Sequence, residues 1–264
     1  MRRRLPVIVV AALLGACAGP MVRPSVAPIV PKREALLVLP GFGYGRDEGK
    51  VFRSLAPAVA GEGVDLYVAP FVTRTGLASS RDKLARFIRD NRLERYERVH
   101  VFAFIAGAWT FNPLVDRGTL PNLATVVYDR SPFQERAPRI AVSRLPVLAW
   151  IRYGSTIFDV AKTPYAAFAG PDVKVAIVVE SAPTSFIRRY EAEARKYGPF
   201  AFTCDSFQQR HDDCLYVAMN HDEIYERFAE IWPELLAFAR SGRFSVAADR
   251  NPPVDDALTQ WRRR

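Results

Sequence analysis

No apolar run in this sequence is long enough to cross a lipid bilayer. The run nearest the amino terminus, Leu5–Leu14, has about ten residues, whereas a spanning helix needs roughly twenty. A transmembrane helix is therefore not expected there. The basic cluster Arg2–Arg4 directly precedes this run, and that order is typical of a secretory signal peptide.

The segment ends in a motif that narrows its interpretation. Leu14, Gly15 and Ala16 precede Cys17, giving a branched aliphatic residue, two small residues and a thiol. This resembles the lipobox of bacterial lipoproteins, which implies cleavage before Cys17, a diacylglyceryl group on its sulfur and anchoring to the membrane of the cell envelope. Ala18 in the next position favours the outer membrane, facing the periplasm. The alternative is an ordinary signal peptide cut near Ala16 or Ala18, with Cys17 incidental.

Cysteine is scarce, with three residues in 264. If Cys17 carries a lipid, Cys204 and Cys214 remain, and one even pair in an exported chain predicts a disulfide. Closing a loop of about ten residues would stabilise the fold by roughly 2 to 3 kcal/mol. The alternative is a metal site that combines these thiols with His211, Asp212, Asp213 and His221. Their spacing matches no known zinc pattern, so neither a metal nor any other cofactor is expected.

Composition divides the mature chain into three parts, with no internal repeat. Recurrent prolines at 17–34 predict an extended tether behind the lipid. Residues 35–244 are long enough for a single domain with a substantial core. Residues 245–264 are predicted to form a loosely ordered tail.

Basic residues exceed acidic ones, with 37 Lys and Arg against 28 Asp and Glu. Cleavage before Cys17 would remove three arginines and leave a formal net charge of +6. The basic residues are scattered among acidic ones, so no nucleic-acid partner is expected. Solubility is the preferred explanation of the excess, and attraction to anionic lipid or envelope polymers is the alternative.

Short apolar runs rich in valine alternate with segments of helical spacing. The predicted strands are 35–39, 64–70, 99–104, 124–128, 173–179 and 215–219. The predicted helices are 49–60, 79–91 with Ser79 or Ser80 as its cap, 108–115 and 223–240. This alternation is typical of an α/β fold with a mainly parallel sheet covered by helices on both faces.

The order of these elements resembles the α/β-hydrolases. Gly41, Phe42 and Gly43 follow the first predicted strand, where members of that family place backbone N–H groups that bind a developing oxyanion. The resemblance therefore implies an oxyanion-binding turn at these three residues.

A histidine follows the last predicted strand. Asn220–Tyr225 resembles the histidine loop of lipase- and esterase-like members, which implies a catalytic role for His221. The family order of nucleophile, acid and histidine makes Glu180 the preferred acid, with Asp205 and Asp129 as rivals. The alternative is a surface histidine at a helix cap.

The nucleophile position departs from the family pattern. Family enzymes carry Gly-x-Ser-x-Gly at a sharp strand-to-helix turn; the corresponding segment is Ala103–Gly107, with Ile105 at the central position. An isoleucine side chain has no lone pair for attack and no proton for a histidine to accept. Thr110, Ser79 and Ser80 do not readily substitute, because they lie further along this helix or on an earlier one.

The segment 129–168 falls where the family often inserts a lid over its pocket. Asp129, Arg130, Gln134 and Glu135 are candidate pocket-lining groups if the preceding strand ends at the pocket edge. The alternative is an extra pair of helices packed on the sheet.

Three functions fit these patterns. The first is an envelope lipoprotein that has lost nucleophilic catalysis and binds an apolar or envelope-derived ligand, or a partner. The second is a lipase- or esterase-type hydrolase that uses His221 with a displaced serine or a water. The third is an unrelated doubly wound binding domain. Ile105 favours the first.

Overall fold

The computed structural model describes residues 19–24, 34–115 and 118–253. The predicted signal peptide, Cys17, most of the tether and the end of the tail lie outside the described residues. Within the described ranges, no helix combines the length and apolar character needed to span a membrane.

Six parallel strands form one sheet in the order β2-β1-β3-β4-β5-β6. The strands are β1 (Glu34–Leu39), β2 (Val64–Val68), β3 (Arg98–Ala103), β4 (Leu123–Arg130), β5 (Lys174–Glu180) and β6 (Asp213–Val217). Each predicted strand is confirmed, with ends that differ by two residues or fewer. Because all strands run the same way, their carboxyl ends meet at one edge of the sheet.

Helices cover both faces of this sheet. The longer ones are α1 (Arg46–Gly61), α2 (Leu77–Asp90), α3 (Ile105–Val115), α4 (Ala137–Arg144), α5 (Pro146–Tyr153), α6 (Ser155–Lys162) and α10 (Phe228–Ser241), and the short ones are α7 (Ser185–Arg189), α8 (Glu191–Arg195) and α9 (His221–Glu226). Alternate residues of β1 divide between the faces. Leu36 and Val38 pack in a core with α1, α9 and α10, whereas Leu37 and Leu39 pack in a core with α2 and α3.

The predicted helices differ from the structure at their ends. α1 and α3 each begin three residues earlier than predicted. α2 begins at Leu77 instead of at the predicted Ser79 or Ser80 cap, because the Leu77 N–H donates 3.0 Å to Asp159 Oδ2 of α6. The predicted helix 223–240 is two helices, α9 and α10, that meet at Arg227.

The predicted disulfide is confirmed, because Cys204 and Cys214 are joined. Cys204 lies in a 3-10 turn at 204–207, and Cys214 is the second residue of β6. The bond therefore holds this turn beside the beginning of β6.

Candidate functional site

Three ionisable side chains meet beyond the carboxyl ends of β4, β5 and β6. Asp129 and Glu180 lie at the ends of β4 and β5, and His221 begins α9, just after β6. His221 Nδ1 lies 2.7 Å from Glu180 Oε1 and 3.4 Å from Asp129 Oδ2. All three residues are buried. The parallel sheet thus places both predicted carboxylates, the preferred acid and one rival, beside the same imidazole nitrogen.

The other rival acid, Asp205, was a wrong prediction. Its side chain is 95 % exposed and lies 3.8 Å from His211 Nε2. The disulfide holds the 204–207 turn beside the start of β6, whereas His221 follows the end of that strand. Asp205 is therefore held at the other end of the strand.

The environment of the cluster favours protonation. Burial, then the Asp129 carboxylate, raises the pKa of Glu180 to about 8. Burial disfavours a charge on His221, but the carboxylates of Glu180 and Asp129 outweigh it and raise the pKa of His221 well above its ordinary value. Near neutral pH both shifts favour the protonated forms of Glu180 and His221, because burial penalises net negative charge in the cluster.

The same cluster offers three donor groups to a cation. One ligand atom from each of Asp129, Glu180 and His221 lies within 4.8 Å of the others. A tetrahedral zinc ion with bonds of about 2.1 Å separates two of its ligand atoms by about 3.4 Å. The 2.7 Å between His221 Nδ1 and Glu180 Oε1 is instead the length of a direct hydrogen bond, so the geometry fits a shared proton better than a metal.

Ile105 occupies the turn between β3 and α3. The strand ends at Ala103 and the helix begins at Ile105. The turn requires a glycine two residues later, because a Cβ at Gly107 would lie 2.7 Å from the Leu39 carbonyl oxygen. Ile105 and His221 line the same cavity. The strand-to-helix turn is thus present where the resemblance implies it, and it carries an isoleucine.

None of the three hydroxyl residues considered as substitutes lines that cavity. The Thr110 hydroxyl donates to the Ala106 carbonyl oxygen over 3.2 Å, and the Ser80 hydroxyl donates to the Gly76 carbonyl oxygen over 3.0 Å. Both are engaged within or beside their own helices.

The glycine turn after β1 faces the histidine. A Cβ at Gly41 would lie 3.6 Å from His221 Nε2 and 3.3 Å from the Tyr225 hydroxyl oxygen. The Gly41 N–H donates to that hydroxyl over 2.6 Å. Tyr225 stays neutral, because burial raises its pKa well above the ordinary value. The turn's donor therefore has a partner within the protein.

Tyr225 is the residue of this site that the sequence interpretation missed. It lies four residues after His221 on α9, so both side chains project from one face of that helix. The Asn220 side chain fixes the start of α9 by accepting the backbone N–H groups of Asp222 and Glu223. The spacing was visible in the sequence, but the contact with Gly41 was not.

A cavity of about 250 Å³ opens beside Ile105 and His221. Its walls are mostly apolar and come from the glycine turn, α3, α4, the end of α5, α6 and the beginning of α7. They include the side chains of Phe42, Ala137, Pro138, Ala141, Tyr153, Ile157, Val160 and Phe186. Gln134, Thr184 and Asp222 add polar groups at its margin.

The four candidate pocket-lining residues lie in three places. Gln134 lines the cavity beside His221. Arg130 and Glu135 line a separate cleft, and Asp129 is buried against His221 Nδ1. The helices α4 and α6, inside the predicted lid at 129–168, cover the cavity; whether they move as a lid stays a prediction.

Comparisons with known proteins support the fold. No family model matches the chain, and no curated protein matches it in sequence. The structure is similar to the mature lipase of Bacillus licheniformis, with a TM-score of 0.51 and 13% identity over 82% of this chain and 98% of that chain. An esterase of Pyrococcus furiosus has a TM-score of 0.49 and 13% identity over 81% of this chain and 84% of that chain. The type II thioesterase of the borrelidin biosynthetic cluster has a TM-score of 0.49 and 16% identity over 82% and 96%.

The lipase similarity and the six-stranded parallel sheet together show an α/β-hydrolase-like fold. The predicted fold class is therefore confirmed. At 13% identity the similarity carries no statement about activity.

Proposed function

We propose that this protein binds a small ligand, with an apolar body and an oxygen acceptor, in the cavity between Ile105 and His221, and does not act on it through a nucleophile. One observation carries the proposal. The strand-to-helix turn after β3 presents Ile105 to the cavity, and this side chain can neither attack an acyl carbon nor give up a proton.

His221 supports binding by acting as a hydrogen-bond donor. General-base catalysis needs a neutral imidazole nitrogen near the operating pH. Glu180 and Asp129 raise the pKa of His221 well above its ordinary value, so the ring keeps both of its protons. With Nδ1 directed at the carboxylates, Nε2–H is left to donate to an oxygen of the ligand.

The turn at Gly41 also supports binding rather than acyl transfer. An oxyanion hole needs backbone N–H groups directed at the developing negative charge. The Gly41 N–H instead donates to the Tyr225 hydroxyl. That donor is therefore already paired within the protein, and the apolar walls from α4 and α6 favour an acyl chain or a similar apolar body as the ligand.

The predicted lipid anchor suggests where in the cell this domain is located. We propose that a lipid on Cys17 holds the protein on the cell envelope, with residues 17–34 as a tether. The lipobox-like order of Leu14, Gly15, Ala16 and Cys17 supports it. An envelope-derived lipid or glycan is then the ligand source nearest to the cavity.

A second candidate function is hydrolysis by water. It is favoured by the 2.7 Å contact between His221 Nδ1 and Glu180 Oε1, which orients the ring as in a histidine and acid pair that activates water. This candidate requires His221 to lose a proton during the reaction.

Octanoate is a suitable binding probe, because it combines an apolar chain with an oxygen acceptor. We expect calorimetry to detect its binding to the purified protein, and Ala141→Trp, which fills the cavity, to weaken binding by about tenfold or more. Val142→Trp is the matched control, since Val142 lies on the same helix but does not line the cavity. Equal effects of the two variants would contradict the assignment of this cavity.

A measurement of ester hydrolysis distinguishes ligand binding from hydrolysis by water. We expect little turnover of p-nitrophenyl butyrate by the wild-type protein and a bound lipid or glycan in native mass spectra. Turnover that His221→Ala abolishes and a fluorophosphonate blocks would contradict the proposal and indicate a displaced serine. Turnover that His221→Ala abolishes and a fluorophosphonate leaves intact would contradict it in favour of activated water.

A further inference from the structure

A second, larger cleft lies on the other side of the α4 segment from the His221 cavity. Its volume is about 430 Å³. Glu135, Arg136 and Arg139 face this cleft, whereas Gln134, Ala137, Pro138 and Ala141 of the same segment face the His221 cavity. Only Val160 lines both. The cleft is thus a separate site, outside the function proposed above.

Arg130 is a buried cation in the wall of this cleft. It is the last residue of β4 and is only 2 % exposed. Its guanidinium carbon lies 4.2 Å from the ring centre of Tyr165 and 4.9 Å from that of Phe207. Both rings also line the cleft. Stacking between aromatic faces holds a guanidinium in a fixed orientation.

One end of this guanidinium has no partner. Nε and Nη2 donate to the two carboxylate oxygens of Glu135. Nη1 is buried and makes no hydrogen bond with any residue in the described part of the chain. Leaving a buried charged donor unpaired costs more free energy than leaving a neutral donor unpaired. Such a group in a cleft wall points to an acceptor supplied by a ligand.

The rest of the cleft lining adds positive charge. Glu135 is the only acidic residue among its lining residues, against three arginines. Three backbone carbonyl oxygens, of Ala194, Gly198 and Pro199, hold the Arg136 guanidinium. Arg139 is exposed and forms no ion pair with a described residue, and its guanidinium lies 5.7 Å from the ring centre of Tyr197. The lining therefore carries a net positive charge, which favours an anionic ligand and repels a metal cation.

We propose that this cleft binds a small organic anion. Its carboxylate or phosphate group accepts hydrogen bonds from Arg130 Nη1 and pairs with Arg139, and its apolar or aromatic body packs against Trp109, Tyr165, Tyr197 and Phe207. Arginine suits such a group, because it presents several N–H donors in a fixed plane. The aromatic walls favour an organic anion over inorganic phosphate.

The test measures binding of two aryl anions, inorganic phosphate and one neutral analogue to the purified protein by calorimetry. We expect phenyl phosphate, benzoate or both to bind with a Kd below about 1 mM, and benzyl alcohol and inorganic phosphate to bind at least about tenfold more weakly. The tighter of the two aryl anions identifies the acidic group. A Kd above about 1 mM for both aryl anions would overturn the proposal.

Two variants and a control locate the binding. Arg139→Gln changes an exposed side chain and should weaken the tighter anion by about tenfold. Arg130→Lys keeps the charge but loses the planar donor set, and it should abolish binding. Circular dichroism checks whether this variant folds. If it does not fold, the result for Arg139→Gln alone decides the test. Arg53→Gln, an exposed arginine of α1 that does not line the cleft, should leave the Kd unchanged. An equal loss in Arg53→Gln and Arg139→Gln would assign the binding to general surface charge and overturn the proposal.

Discussion

The Tyr225 hydroxyl accepts a hydrogen bond from the Gly41 backbone N–H over 2.6 Å, across 184 positions of the sequence. This bond links the turn after β1 to α9, directly beside His221. It satisfies a buried donor that has no other partner in that turn. The bond therefore fixes the position of the glycine turn relative to His221.

Removing this hydroxyl should destabilise the fold. Tyr225→Phe leaves the Gly41 N–H buried without an acceptor, so we expect the free energy of unfolding in urea to fall by about 1 to 3 kcal/mol. Tyr153→Phe is the control, since the Tyr153 hydroxyl pairs only with the exposed Arg152 side chain and should change stability by less than about 0.5 kcal/mol. Equal losses in both variants would show that the bond to Gly41 contributes nothing specific.

The buried cluster should make stability depend on pH. The pKa of Glu180 rises from 4.5 to about 8 on folding, and the pKa of His221 rises above 6.5. The folded chain therefore holds more protons than the unfolded chain between these values. The Glu180 contribution is complete below pH 4.5 and is lost as the pH rises through about 8. The His221 contribution is complete below pH 6.5 and is lost at higher pH, and each extra proton gives a slope of up to about 1.4 kcal/mol per pH unit.

Urea unfolding at pH 5, 6.5 and 8 checks this dependence. Glu180→Gln removes one of the titrating groups, so its stability should fall less steeply over the same range. Glu230→Gln is the control, because Glu230 is exposed, and its pairing with Arg227 lowers its pKa below 4.5. A wild-type stability that rises from pH 5 to pH 8 would contradict the proton-sharing cluster.

A hydroxyl placed at the turn between β3 and α3 should give the protein esterase activity. Ile105→Ser places an oxygen in the cavity that His221 faces, and we expect hydrolysis of p-nitrophenyl butyrate at least about tenfold above wild type. The rate should rise as the pH is raised, because Glu180 and Asp129 hold the pKa of His221 well above its ordinary value and the ring must lose a proton to act as a base. Ile105→Ala opens the same space without a nucleophile and should stay inactive.

Labelling gives an independent measurement of the same change. A fluorophosphonate should modify Ile105→Ser and leave both the wild type and Ile105→Ala unmodified. Adding His221→Ala to Ile105→Ser should abolish the gain. An inactive Ile105→Ser protein that is folded and unlabelled would show that the turn and the histidine no longer form a catalytic geometry.

The features that could be predicted from the sequence are those with a pattern in a short stretch of residues. Each strand is a short apolar run, and the cysteine pair followed from counting. The resemblance to the α/β-hydrolases, with its order of acid and histidine after successive strands, predicted Glu180 as the partner of His221. Asp205 looked equivalent along the chain, but the disulfide holds its turn at the start of β6.

The remaining features depend on packing that no local pattern encodes. Asp159 supplies the cap of α2 from 82 positions away. Asp129 and Arg130 are adjacent in β4, yet one lies against His221 and the other lines the second cleft. Which residue lies in which place follows from the alternation of the strand and the path of α4, and both are set by the tertiary fold.

The disulfide should contribute measurably to stability. It links residues ten positions apart, so replacing both Cys204 and Cys214 by serine should lower the free energy of unfolding by roughly 2 to 3 kcal/mol. Dithiothreitol should lower the stability of the wild type by a similar amount and leave the double variant unchanged. A loss in the double variant that dithiothreitol does not reproduce would point to the serine side chains instead of the lost bond.

The last prediction concerns the lipid anchor at Cys17. Cys17→Ser removes the sulfur that would carry the diacylglyceryl group, so we expect a soluble or uncleaved product in place of a membrane-bound mature chain. Fractionation after high-salt washing and the mass of the mature protein measure the two outcomes. Cys204→Ser is the control, since it removes a thiol without touching the lipobox-like motif and should leave a membrane-bound product. If Cys17→Ser is cleaved normally and still sediments with membranes after high-salt washing, then the lipid anchor is wrong. The +6 charge of the mature chain would not explain that result, because salt screens its attraction to anionic lipid.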